Sequence, residues 1–412
     1  ADEGDPQGTA GIAGRVQPPD GNHLEESGGD GGMKWEKVKL GNVTDSCLGK
    51  MLDQNKNKGD YQPYLANVNV RWGEFDLEDL PLMKFEESEQ ERYELKYGDL
   101  VICEGGEPGR CAIWKEQIPN MKIQKALHRV RVHDCLDYRY LFYWFLLAGK
   151  TGELDQYFTG ATIKHMPGQK LKEVVIDKPP LEIQHRIADI LSAYDDLIEN
   201  NQKQIKLLEE AAQRLYKEWF VDLRFPGHEN TEIVDGVPEG WHRGTVGQIA
   251  EFKRGRTITK AQVKGGNVPV VAGGLEPAYY HNVANTKAPV ITISASGANA
   301  GFVRLYGVDV FASDCSFVDG LGTESLFFVY EFLKESKVSI DQLQKGSAQP
   351  HVYAKDINAM KITIPEKEYL ERFDRYAKVY FNKIKTLQGQ NERLKIARDL
   401  LLPKLMNGKV EV

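Results

Sequence analysis

PPLEIQHRIADILSAYDDLIENNQKQIKLLEEAAQRLYKEWF, residues 179–220, is the stretch that decides the architecture. It opens on Pro179-Pro180, where a helix can begin, then runs without Gly or Pro and is dense in Leu, Ile, Glu, Lys and Gln. Ile187, Leu191, Tyr194, Ile198, Asn201, Ile205, Leu208, Ala212, Leu215 and Trp219 recur in steps of four and three, which predicts a coiled-coil seam. A second such stretch follows Pro365, where Phe373, Ala377, Tyr380, Ile384, Leu387, Asn391, Leu394, Arg398, Leu401 and Leu405 repeat the rhythm. One such stripe is also what an ordinary core-facing helix shows, but two matched helices point to a pair. Pro403 lacks a backbone donor and clashes with the preceding turn, so the second helix is expected to bend or end near it.

What precedes each helix is also written twice. Thr-Gly-Ala-Thr-Ile-Lys-His (159–165) answers Lys-Gly-Ser-Ala-Gln-Pro-His (345–351), and Val-Ile-Asp-Lys-Pro (175–179) answers Lys-Ile-Thr-Ile-Pro (361–365). Tyr-Leu-Phe-Tyr (140–143) matches Ser-Leu-Phe-Phe (325–328), while Lys34-Trp35 and Gly240-Trp241 mark the start of each unit. Both units are broken by Gly, Pro and Asn into short runs rich in Val, Ile, Tyr and Phe, such as Asp99 to Cys103 and Val290 to Ser294. They read as mainly β domains with some helix, for example Tyr138 to Leu147. The predicted fold class is therefore α+β, a pseudo-two-fold tandem repeat. Two mainly β domains (33–179 and 237–365) are separated by helices (180–222 and 366–407), with a turn-rich connector at 223–236.

Residues 1–32 hold seven acidic side chains against Arg15 alone, together with much Gly and Pro and almost nothing that forms a core. They are expected to be a disordered tail, with the native start at Met33. They account for nearly all of the formal net charge of −7, and the remainder is close to neutral. That balance argues against binding nucleic acid by bulk charge and leaves room for a local basic face. The longest apolar run, Leu141 to Ala148, is too short to cross a bilayer, so a soluble protein with no membrane partner is expected. Five cysteines without CxxC spacing indicate neither a disulfide framework nor a zinc site and suit a reducing cytoplasm.

The densest basic stretch is Lys253, Arg254, Arg256, Lys260 and Lys264, with Gly255 permitting close backbone approach. Phosphate binding is its natural use, and a merely solvated loop face is the plainer alternative. The first domain carries Arg110, Lys115, Lys122, Lys125, Arg129 and Arg131, diluted by Glu116. Base edges are read by Arg, Asn, Gln and His beside Gly. Asn67, Asn69, Arg71, Gln124, His128, Lys164 and His165 qualify in the first domain, and Asn299, Gln349 and His351 in the second. Any one of them could instead cap a turn. Catalytic constellations are missing: there is no Walker loop, HExxH or nucleophile elbow, and Gly105-Gly-Glu-Pro-Gly109 lacks the setting of a dinucleotide fingerprint. Asp177-Lys-Pro-Pro180 has an inserted Lys and no following aromatic, which spoils its likeness to an amino-methyltransferase motif.

Taken together, PYLANVNVRWG (63–73), GDLVICEGG (98–106), PLEIQHRIA (180–188), RDLLLPKL (398–405) and the two Gly-x-x-x-x-His segments (160–165, 346–351) resemble type I restriction-modification specificity subunits from Met33 to about Asn407. The resemblance implies two target recognition domains, each reading one half of a bipartite double-stranded DNA site, spaced by two helices. It implies docking of two modification (methyltransferase) subunits and, through the complex, of restriction/translocase subunits. S-adenosylmethionine, ATP and Mg would be held by those partners and no cofactor or catalytic centre by this chain. Two readings from other classes compete. A free-standing methyltransferase or nuclease would need a cofactor loop or paired carboxylates, and a coiled-coil tether bearing protein- or carbohydrate-binding β domains would show no DNA sequence preference.

The seam also predicts a register. With antiparallel helices and Asn201 opposite Asn391, Ile187 meets Leu405, Tyr194 meets Arg398, Leu208 meets Ile384 and Trp219 meets Phe373. A hydrogen-bonded Asn pair selects that register over slips of one heptad, at some cost in stability.

Overall fold

The computed structural model describes residues 35–53, 57–346 and 349–410, so the expected tail at 1–32 and the start at Met33 lie outside the described residues. The first unit contains β1 (Glu36–Lys39), β2 (Thr44–Leu48), β3 (Asp60–Leu65), β4 (Leu82–Phe85), β5 (Leu100–Cys103), β6 (Cys111–Ile113), β7 (Lys122–Ile123), β8 (Leu127–Val132) and β9 (Val175–Lys178). A small hairpin, β10 (Ile233–Val234) and β11 (Val237–Pro238), leads into the second unit. That unit holds β12 (His242–Thr245), β13 (Lys253–Arg254), β14 (Val268–Val271), β15 (Tyr279–His281), β16 (Val290–Ser294), β17 (Val303–Tyr306), β18 (Phe311–Ala312), β19 (Cys315–Asp319) and β20 (Lys361–Ile364).

The strand orders are the same twice. β2-β8-β5-β6 corresponds to β13-β19-β16-β17, and β4-β3-β7 to β15-β14-β18, with the β3–β7 and β14–β18 pairs parallel. In each unit the first and last strands pair antiparallel, β1 with β9 and β12 with β20, so the chain leaves each domain where it entered. Each domain also carries a core helix. Tyr138–Thr151 has Asp137 as its N-cap, whose carboxylate accepts from the Arg139 and Tyr140 amides. In the second domain Leu326–Glu335 receives its cap from outside, because Asp374 of the long helix accepts from the Phe328 amide at 2.9 Å.

The first long helix spans Leu181–Tyr216 and continues as a π-helical turn, Lys217–Val221. The second spans Lys367–Met406. It runs through Gly389 and through Pro403 and ends three residues later, near the proline as its sequence leads one to expect. Burial of Leu402, Leu405 and Met406 in the first domain's core outweighs the donor lost at that proline, since each such side chain contributes roughly 1.5–3 kcal/mol.

The helices lie antiparallel in the expected register. Asn201 Nδ2 donates to Asn391 Oδ1 at 2.8 Å within the seam, and Trp219 meets Phe373 edge-on at 6.2 Å. Opposite Tyr194 the seam admits an arginine because Arg398 reaches Asp195, whose other oxygen takes the Tyr143 hydroxyl at 2.6 Å. The rod also completes both domain cores. Ile187, Leu191 and Leu405 pack with the first domain's Tyr140, Phe145 and Ile176, while Ala212, Tyr216, Phe373 and Ile384 pack with the second domain's Ile291, Phe328 and Ile362. Phe225 in the connector is fully buried, 4.7 Å from the Trp241 ring.

Candidate nucleic-acid interface

Four chain segments converge at one end of each domain. In the first, the Glu104 amide donates to Ala126 O (2.9 Å), the Met166 amide to Glu104 O (2.7 Å) and the Gln124 amide to Leu65 O (3.0 Å). These bonds gather the loops after β3, after β5 and before β8, and His165 bridges to Gly105. The second domain repeats the pattern. The Ala295 amide donates to Asp314 O (3.3 Å), the Val352 amide to Ala295 O (3.0 Å) and the Ser313 amide to Val271 O (2.8 Å), with His351 bridged to Ser296. Loops on a rigid sheet suit recognition because their tips can vary without disturbing the core.

The chain that leaves β2 and β13 joins the same end. Gly49 and Gly255 hold equivalent places, and a Cβ there would come within 2.4 Å of Gln124 O and 2.2 Å of Ser313 O. Only glycine lets the backbone lie that close. The next residues, Lys50 and Arg256, donate their amides to Ile123 O and Ala312 O. Here the two halves part. Lys50 is 3% exposed, paired to Glu89 and bonded to Lys84 O at 2.8 Å. Arg256 is exposed, as are Lys253, Arg254, Lys260 and Lys264, and none of the five has an ion-pair partner among the described residues.

The structure corrects the reading of the first domain's cations and amides. Lys122 is fully buried and paired with Glu94 at 2.9 Å. His128, 1% exposed, lies 2.9 Å from Met166 O, and burial holds its pKa below the usual histidine value. Asn69 is a buried turn cap, accepting from the Ala66 amide and donating to Asp76 O. These three face inward because the strand or turn that carries each points it into the core, an alternation that a loop-like sequence conceals. Arg110 is largely enclosed, held by Glu107 and by Asn67 O, while Asn67 itself donates to Gly105 O at 2.9 Å. Lys115 pairs with Glu199 of the rod, Arg131 forks onto Asp99 with both contacts at 2.7 Å, and Arg129 is buried beneath Arg92 O. Of that basic run, Lys125 is exposed without an ion-pair partner among the described residues.

Arg71, Lys164, His165 and Gln349 are exposed at the loop ends, with Gln124, Asn299 and His351 half-buried beside them. Arg71 braces Val68 O, Lys164 sits over the Phe158 ring, and His351 stacks on Tyr353 with ring planes 14° apart. Sequence reasoning missed the Trp72–Glu107–Arg110–Asn67 chain of hydrogen bonds, whose members are dispersed in sequence and share no spacing. Among the described residues, the cysteines beside these loops are not activated nucleophiles. Burial pushes the Cys103 thiol up to about 11 and Cys315 up to about 12, the opposite of what a reactive thiolate needs.

Residues 33–210 and 238–395 match the sequence profile of the family described as type I restriction modification DNA specificity domain. The chain belongs to this family. The match takes in most of both copies of the duplicated unit, and each matched segment contains one loop end. The type I restriction enzyme MjaIX specificity subunit of Methanocaldococcus jannaschii is 29% identical over 340 residues, covering 76% of this chain and 78% of that protein. The HindI specificity subunit of Haemophilus influenzae is 21% identical over 473 residues, covering 91% and 99%. The crystal structure of a type I restriction-modification S subunit from M. genitalium superposes with a TM-score of 0.56 at 18% identity, covering 92% of this chain and 97% of that one, and supports the same fold. Specificity subunits of this family lend DNA recognition to an enzyme whose chemistry lies elsewhere, and this chain is a non-catalytic member. Among the described residues no helix is long and apolar enough to cross a membrane.

Proposed function

We propose that the chain reads a bipartite double-stranded DNA target, one loop end per half-site, and docks two modification subunits along its rod. The observation that carries this reading is the duplication of one recognition end on an antiparallel pair. Such a pair gives the two halves an approximate two-fold axis through the middle of the rod, between the Asn201–Asn391 and Ile205–Leu387 layers. About 32 residues of rod between the outer layers, at 1.5 Å each, set the domains roughly 50 Å apart, somewhat more than one DNA turn.

Docking is supported by the rod's outer side. Residues just after a seam position face the domains: Asp195 meets Tyr143, Glu199 meets Lys115, and Phe381 stacks on Phe327 at 4.9 Å. Those just before a seam position face away, and there Ile190, Leu197, Leu207, Tyr376, Val379 and Leu400 are exposed. Each half of the rod therefore shows exposed apolar side chains on this side, with Ile190 and Tyr376 at equivalent places in the repeat. A helix that shows apolar residues beyond its seam has more surface to bury, and exposed apolar side chains in both halves suit one helical partner on each. S-adenosylmethionine, ATP and Mg then belong to the modification and motor subunits.

Native mass measurement of the co-expressed complex tests the stoichiometry, with two modification subunits per chain expected. Methylation mapping tests the reading itself. A complex that modifies a two-part sequence supports it, whereas DNA binding without sequence preference would return the chain to a tether.

A further inference from the structure

The two histidine loops share their anchoring backbone, and one of the outward positions at which they differ is Ile163 against Gln349. The backbones of Thr159 and His165 bond each other in both directions at 2.8 Å, and those of Lys345 and His351 at 2.9 Å. The next residue is a glycine with positive φ in both, Gly160 at 93° and Gly346 at 97°. A Cβ on Gly160 would come within 2.2 Å of Ile163 O, and one on Gly346 within 2.8 Å of Gln349 O. Ile163 and Gln349 therefore occupy the same place, two residues before the histidine that anchors the loop to the Gly105 or Ser296 hairpin.

Ile163 is 64% exposed and joins none of the hydrophobic clusters among the described residues, so it has no packing reason to be apolar. The adjoining loop shows a second such side chain. Val68 is 69% exposed, while its carbonyl is held by Arg71 and the flanking amides are turned inward. In the major groove the one apolar group on a base edge is the thymine 5-methyl, whereas an amide side chain forks onto adenine N6 and N7. We infer that this position is a specificity determinant in both half-sites, with Ile163 reading a thymine methyl, assisted by Val68, and Gln349 reading an adenine. The inference rests on the proposed DNA-reading role.

The test uses the complete complex with its modification subunits, once its target has been mapped. Each thymine of the target is replaced in turn by deoxyuridine, which removes the methyl and nothing else. The wild-type complex is expected to lose about fourfold in affinity at one position, the worth of one methyl-sized apolar contact of ~0.8 kcal/mol. Ile163→Ala should abolish that sensitivity. Ile163→Gln should move the mapped preference at the same position from thymine towards adenine and leave the other half-site unchanged, and Gln349→Ile should do the converse in its own half. Because both side chains are exposed, thermal unfolding should be unaltered. A bipartite target that is still methylated, yet indifferent to every deoxyuridine and unchanged in Ile163→Gln, overturns this inference alone. Failure to find any bipartite target overturns it together with the reading beneath it.

Discussion

Replacing Lys253, Arg254 and Arg256 by alanine should flatten the salt dependence of DNA binding by the assembled complex. All three are exposed around Gly255, and none has an ion-pair partner among the described residues, so their charges are available to phosphate. Each phosphate contact contributes about 0.9 to the slope of log affinity against log salt, and three contacts give a change of up to ~2.7. Between 50 and 200 mM salt the wild-type complex would then lose roughly 40-fold more affinity than the variant. A fluorescence-anisotropy titration at four or five salt concentrations measures this. The control is Lys50→Met, at the place equivalent to Arg256. Its ammonium is buried against Glu89, so it should cost stability and leave the slope alone. An unchanged slope in the triple variant, or equal flattening by Lys50→Met, would refute the assignment of this loop to phosphate.

Asn201→Leu alone should destabilise the rod by about 1–3 kcal/mol in urea unfolding, because it strands the buried Asn391 amide, and adding Asn391→Leu should recover most of that loss. A double variant as unstable as the single one would mean that the pair does not act as a unit. Glu331 is nearly buried on the second domain's core helix, and burial raises its pKa to about 8, with Lys334 opposing the shift and Glu209 and Glu335 adding to it. A carboxyl whose folded value lies above its unfolded value of about 4.5 leaves stability intact below pH 4.5 and erodes it as pH rises towards 8. Glu331→Gln should therefore raise the melting temperature at pH 8.5 and leave it unchanged at pH 4.5, and an equal effect at both would rule out titration as the cause.

Much of the architecture was legible because it rests on periodicity and repetition. The seam of Ile187 to Trp219 could be read from spacing alone, and a single polar layer was enough to fix its partner. The end near Pro403 was legible from the proline, whereas its place three residues further on follows from the burial of Leu402 and Leu405, which only tertiary packing supplies. The interface was less legible. Lys122, His128 and Asn69 have the composition of DNA readers, yet two lie on β7 and β8 with their side chains turned inward and the third caps a turn. Exposure on short strands flanked by loops depends on pairing partners far away in sequence. Ile163, by contrast, looks like a core residue in sequence and becomes notable only because Gly160 and His165 turn it outward.

The central claim is that each domain reads its own half of one target, and transplanting residues 237 to 356 from a relative of different specificity tests it most directly. The methylated sequence of the resulting complex, mapped across a genome, should keep one half of the original target and acquire one half of the relative's. A change in both halves, or in neither, would contradict the account.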